Sequence, residues 1–528
     1  MKKHLWIYVL VAFLVAILLF GRCVEKIRKF NSGIEKYNSL SDICKMLEMY
    51  YVDTINDAML YESAINGMLK SLDPHSYYLP PSDAQSSNDD LNGSFDGIGV
   101  QFRMLDDTVN IIMPVAGGPS EKIGIRAGDK IISANDTAIS GMKMATNEVM
   151  RRLKGKRGSK VKVGIVRYGV DKTLFFDIIR APIPTYSIDA HFMADNLTGY
   201  IKLSKFSSTT TDEMTCALEK LKDNGMKKLI LDLRNNGGGI LQQAVETADL
   251  FLKNGQKIVS IKGRNQDKEY LASDYGLFEG SEMVVLMDEF SASASEIIAG
   301  ALQDNDAATI VGRRSFGKGL VQSAIPLNNG GEIRLTVARY YTPSGRCIQR
   351  PYILGETDPE EDLIKKINDG ELFSLNNVHL DSSQVFQTVG GRTVYGGGGI
   401  MPDVYVPYQT ENYSTFLNKL FNSATLINFA FNYSNQNRNQ LKTMYLSGKN
   451  YIKNFQVDEK LMNVLADFAK KNGIEFPKTG KMGESDKIKN YLKAYIARDV
   501  FGENCFYEII LQEDNDYRQA LNNLEFRL

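Results

Sequence analysis

From Leu197 onward, short apolar runs alternate with segments of helical period. Gly199–Leu203, Lys228–Leu233, Met283–Met287 and Ala308–Val311 read as buried strands. Thr211–Lys222, Ile240–Leu252 and Ser293–Gln303 read as the helices between them. This alternation restricts the chain to a layered α/β core with helices packed against a sheet. Glu332–Tyr341 adds a further strand.

The rest of the chain divides around that core. The expected parts are residues 1–29, 30–86, 87–182, 183–408 and 409–528. Ser39–Ser71 has helical spacing, ended by Leu72-Asp73-Pro74-His75-Ser76. Pro80-Pro81 and Ser86–Asn92 read as a linker. Phe95–Arg180 reads as a small β-rich module with one short helix, Asn147–Leu153. Residues 351–383 read as a polar insertion, and the segment beyond Asn412 as helical with no chemical motif. The fold class is therefore multidomain α/β and α+β.

The 528 residues, 43% apolar and 24% charged, suffice for several cores. A net charge of −1 gives no basic excess for nucleic acid. Five dispersed cysteines argue against a disulfide framework and a zinc cluster. Lys2 and Lys3 precede the apolar run Leu5–Phe20, and Arg22, Lys26, Arg28 and Lys29 follow. No small-residue cleavage site follows the run, and Arg22 before Cys23 is wrong for a lipoprotein signal. A signal anchor is expected, with a cleaved signal peptide as the alternative. Either way the remainder is exported. The expected location is the cell envelope, with the chain held in the inner membrane by its N-terminal helix and the catalytic region on the periplasmic side.

Three segments carry candidate chemistry. Ser293 lies between a strand and a helix, and Ser293 with Glu296 has capping-box spacing. The same position sets a hydroxyl beside free helix N–H groups that stabilise an oxyanion. Gly312 to Gly317-Lys318 nearly matches a P-loop, but Gly319 replaces the Mg²⁺-binding hydroxyl and Leu320–Leu327 reads as a strand. Gly237-Gly238-Gly239 follows a buried strand and permits close backbone approach to a substrate carbonyl. The chain has four histidines and no Ser-His-Asp pattern; a lysine can serve as base where burial lowers its pKa toward neutrality. Each segment alone is equally a cap, a surface turn or a helix entry.

Taken in order, the motifs resemble the C-terminal processing (tail-specific) serine peptidase family. They are Gly67–Leu79, Phe95–Val100, Asp232–Gly239, Ser291–Glu296, Gly317–Gln322, Tyr341–Gly345 and Gly399–Asp403. The resemblance implies a peptidase core using a Ser-Lys dyad, with Ser293 as nucleophile, Lys318 as base and Gln322 orienting the lysine. It implies an oxyanion hole from the backbone N–H of Ala294 and of a glycine, Gly238 or Gly239. It implies that the module at 87–182 is PDZ-like, with Gly97-Ile98-Gly99-Val100 receiving a peptide carboxylate by strand addition. The expected partners are proteins or peptides with apolar C-termini and the membrane, with no nucleic acid, metal or cofactor. Homo-oligomerisation is left open. Departures from the family pattern are Gly237, the insertion and the tail beyond Asn412.

Overall fold

In the computed structural model the described residues are 39–264, 267–355, 359–409, 413–477 and 483–525. The chain forms two compact units, one ending at Ser71 and one beginning at Leu72. In the first, helices cover residues 39–50 and Asp57–Lys70. The second helix is capped by Asn56, whose Oδ1 accepts from Met59 N–H at 3.3 Å.

The second unit is organised around a six-stranded sheet. Its order is Ile188–Met193, Thr198–Leu203, Lys228–Asp232, Glu282–Met287, Thr309–Gly312 and Val404–Tyr405. The first pair is antiparallel and every later pair is parallel. Parallel strands bury both faces, which explains why these segments read as unbroken apolar runs. On one face Leu229, Leu231 and Val285 pack with helices Thr210–Asp223, Leu241–Asp249 and Ala294–Asp304. On the other face Ile230, Val284 and Val311 meet Tyr517, Ala520 and Leu524 of the last helix, Asn515–Glu525. The C-terminal tail thus supplies a layer of the α/β core.

A second sheet holds Tyr77–Leu79, Lys257–Gly263, Asp267–Leu271, Leu320–Pro326 and Glu332–Tyr341. The β-rich module has its own sheet and its own apolar core, which includes Val109, Ile131, Val149 and Val163. One of its edge strands is Val100–Leu105. The tail forms a further helical core that includes Leu426, Tyr451, Leu465 and Leu492.

Three expectations change. The linker is a helix, Pro81–Leu91, because proline is well tolerated in a first turn where its missing N–H has no partner. The insertion contains the helix Pro359–Asn368. It is pinned to the core by Lys366 Nζ, which donates to Ser315 O at 3.1 Å, and by the Arg314–Glu371 ion pair at 2.5 Å. Among the described residues no helix is long and apolar enough to cross a membrane. A span needs about 20 predominantly apolar residues, whereas the 21-residue helix Thr425–Tyr445 carries Asn428, Asn432, Asn435 and Arg438. This overturns the inner-membrane placement expected from sequence. The run Leu5–Phe20 on which that expectation rested lies outside the described residues.

Candidate active site

The functional side chains sit where chains leave the C-terminal ends of the parallel strands, the usual site position in open α/β sheets. Ser293 is the residue before the helix Ala294–Asp304 and has φ 55°, ψ −111°. A non-glycine residue in this region costs on the order of 1–3 kcal/mol and persists only where its surroundings hold it. Glu296 supplies part of that hold, since its Oε2 accepts from Ser293 N–H at 2.8 Å.

The same Oε2 accepts from Lys318 N–H at 2.9 Å. Oε1 accepts from Ser315 Oγ at 2.5 Å and from Gly317 N–H at 2.7 Å. Glu296 is fully buried. Burial pushes its carboxyl above the usual range, and the four hydrogen bonds oppose that shift. Tyr340, also buried, adds a second tie: its hydroxyl lies 2.8 Å from Lys318 O and 3.2 Å from Ser293 O. One carboxylate and one phenol therefore fix both backbone segments against each other.

Lys318 Nζ donates to Gln322 Oε1 at 2.7 Å. Gln322 Nε2 in turn donates to the carbonyl of His75. The turn that presents His75 is shaped by Asp73, whose carboxylate accepts from His75 N–H, Ser76 N–H and Thr336 Oγ1. Burial lowers the Lys318 amine from its ordinary value; Arg334 adds to the effect, while Glu296 and Asp73 oppose it. His75 is held near pKa 4, mainly by burial and then by Lys318. A neutral imidazole is thus the form present at pH 7.

Ser293, Lys318 and Gln322 line one cleft of about 380 Å³. Lys318 Nζ and Ser293 Oγ share this cleft without a hydrogen bond between them. Such contacts often tighten only when substrate is bound. Ile240, Leu241, Ile297 and Leu320 give the cleft apolar walls, and Tyr77 and Arg334 also line it. Gly237 and Gly239 line it too, whereas Gly238 N–H is turned to Asn236 Oδ1 at 2.9 Å. A Cβ on Gly238, at φ +102°, would stand 2.9 Å from Ser293 Cβ and 3.0 Å from Ala294 N. Ala294 opens the helix, so its N–H has no intrahelical acceptor.

Gly97, Ile98, Gly99 and Val100 lie in the β-rich module, outside this cleft. Gly99 has φ +73°, and its carbonyl accepts from Val115 N–H at 2.9 Å. The module contacts the helical tail through Arg103, whose Nη1 donates to Ile427 O at 3.4 Å and whose guanidinium lies 5.9 Å from the Phe431 ring.

The sequence marks Glu296 only as a helix cap and Asp73 only as part of a motif, and it does not single out Tyr340 or Arg334. The capping-box spacing was a signal for Glu296. Nothing local marks Tyr340 and Arg334, which reach the cleft through strand pairing, whereas Asp73 lies in the motif Gly67–Leu79 and acts on the turn that presents His75.

The model of peptidase family S41 matches residues 197–358, and a PDZ domain model matches residues 97–178. A family of unknown function matches residues 416–502. A carboxy-terminal-processing protease of Bartonella bacilliformis is 39% identical over 331 residues, covering 62% of this chain and 75% of that protein. The carboxy-terminal processing protease CtpA of Bacillus subtilis is 35% identical over 331 residues, covering 62% and 70%. A solved photosystem II D1 C-terminal processing protease shares 30% identity over 59% of this chain and 85% of its own, with a TM-score of 0.34. With those motifs in order and that extent of identity, the chain belongs to the carboxy-terminal processing proteases of peptidase family S41 and is a serine-type peptidase with a PDZ domain.

Proposed function

We propose that the protein is an endopeptidase that cleaves protein substrates at or near their C-termini through a Ser293–Lys318 dyad. The observation that carries this reading is the shared Glu296 oxygen, which ties the backbones of Ser293 and Lys318 beside one cleft. Neutral Lys318 takes the Ser293 proton as Oγ attacks the scissile carbonyl. The tetrahedral oxyanion is met by the N–H of Ala294 and of a glycine, for which Gly239 is better placed than Gly238. Protonated Lys318 then donates to the leaving amine. Water, deprotonated by Lys318, releases the acyl group from Ser293. Gln322 keeps the amine directed into the cleft.

The Gly97–Val100 loop and the edge strand Val100–Leu105 support capture of an apolar substrate tail by strand addition. The matches at 97–178 and 197–358 support the division into parts at 87–182 and 183–408. The expectation of exported substrates rests on residues outside the described ones. The test is cleavage of a protein with an apolar C-terminal tail. Ser293→Ala and Lys318→Ala are each expected to lose roughly 10²-fold or more in kcat. Wild-type rates in both variants would reject the dyad.

A further inference from the structure

We propose that the turn Asp514–Asp516, at the entry to the last helix, is a positioning clamp for the three catalytic loops. The C-terminal tail would then act in peptide hydrolysis as well as in folding. The proposal rests on the Ser293–Lys318 reading above and assigns a role to the tail beyond it.

Three loops leave adjacent parallel strands at the same end of the sheet. The loop after Lys228–Asp232 carries Arg234 and then Gly237–Gly239. The loop after Glu282–Met287 carries Glu289 and then Ser293. The loop after Thr309–Gly312 carries Arg313 and then Lys318. Asp516 Oδ2 accepts from Arg234 Nη1 at 3.2 Å and from Arg313 Nη1 at 3.2 Å. Arg313 Nε passes the tie on to Glu289 Oε2 at 2.8 Å. Asp514 accepts from Arg234 Nη1 at 3.0 and 2.8 Å. One carboxylate from the tail therefore holds two loops directly and the third through Arg313.

The charges are buried: side-chain exposure is 13% for Arg234, 8% for Arg313 and 9% for Asp516. Losing a partner in such a network leaves an uncompensated charge, and the loops must shift to rehydrate it. The catalytic groups follow within a few residues on each loop. A misplacement of about 1 Å can cost roughly 10²-fold in rate, so a small shift reads out in kcat. Local ties join neighbouring loops in pairs, Asn235 N–H to Asp288 Oδ1 at 3.0 Å between the first two and Phe316 N–H to Ser291 O at 2.9 Å between the second and third. Asp516 adds a tie between the first and third loops, from a region distant in sequence.

The experiment uses the full chain with a fluorogenic peptide and a serine-directed fluorophosphonate probe. The variants are Asp516→Asn, Asp516→Glu, Asp514→Asn and Ser293→Ala. Asp516→Asn is expected to lower kcat about 10-fold or more per folded molecule. KM should stay within about threefold, and probe labelling should slow in parallel. Asp516→Glu should recover part of the loss. Asp516→Asn with kcat within about twofold of wild type would overturn the clamp, as would a loss that merely tracks the folded fraction. If Asp516→Asn yields no folded protein, Asp514→Asn decides, with a fall of about threefold or more expected and an unchanged kcat overturning the clamp. Ser293→Ala separates the two readings. Wild-type cleavage by it defeats the dyad, whereas an inactive Ser293→Ala beside a fully active Asp516→Asn defeats the clamp alone.

Discussion

Lys318 Nζ donates a 2.7 Å hydrogen bond to Gln322 Oε1, and Gln322 is itself anchored to the His75 carbonyl. The lysine is thus aimed by a side chain whose other end is fixed on a separate turn. Gln322→Ala should lower kcat by about 10-fold or more while leaving KM within about threefold, because base positioning matters in the transition state. Gln322→Glu should move the pH–rate profile to higher pH, since an added negative charge favours the ammonium form. Steady-state kinetics on a peptide substrate check both. An unchanged kcat in Gln322→Ala would remove the orienting role.

Under the proposed dyad, Lys318 sets the sign of the pH dependence. Its amine is lowered mainly by burial, and only the neutral form is a base. Expected kcat/KM rises with pH through the lowered pKa, with a midpoint below the ordinary lysine value of about 10.4. The folded pKa lies below the unfolded one, so between the two the unfolded chain binds more protons and stability rises with pH. Below the folded pKa the cost of burying the charge is fully present. Lys318→Met should therefore melt higher than wild type at pH 7. Calorimetry showing a lower melting temperature would contradict this account.

His75 predicts acid sensitivity. Its pKa is about 4, depressed by burial first, then by Lys318 and Arg350, with Asp73 opposing. Native protein resists protonation there while the unfolded chain takes it up near pH 6.5. Stability linked to this group is full above pH 6.5 and falls as pH drops toward 4. His75→Phe should remove that slope, reducing the stability difference between pH 7 and pH 4.5 by on the order of 2 kcal/mol. Denaturant melts at the two pH values measure it, and equal slopes in both proteins would refute it.

Gly238 and Gly237 should respond differently to a side chain. A Cβ on Gly238 meets Ala292 O at 2.9 Å and Ser293 Cβ at 2.9 Å, whereas one on Gly237 meets nothing within 4 Å. Gly238→Ala is expected to cost about 10²-fold or more in kcat by displacing the loop that carries Ser293. Gly237→Ser should stay within about threefold, because its backbone N–H is retained. Equal losses in the two variants would mean that the clash is not the cause.

Much of the architecture was legible because it is local. Apolar runs such as Lys228–Asp232 announce buried parallel strands, and glycines after a strand announce a close approach. The helix Pro81–Leu91 was misread because its polar sequence lacks a strong apolar stripe. The inner-membrane placement was drawn from a terminal apolar run that lies outside the described residues, and no described helix supports it.

The two motifs that contain Ser293 and Lys318 were set by sequence, along with the family they resemble. Local spacing showed Ser293 before a helix and Lys318 before a strand. It also gave Glu296 the reach back to Ser293, because N3 and the N-cap are one turn apart. Only the tertiary structure brought that same carboxylate to Lys318, set Tyr340 across both carbonyls, and buried the lysine so that its amine is lowered. Those relationships depend on strand pairing and on a tail helix that covers the far face of the sheet. Burial and long-range contact are properties of the packed chain, and neither is written in the local spacing of its residues.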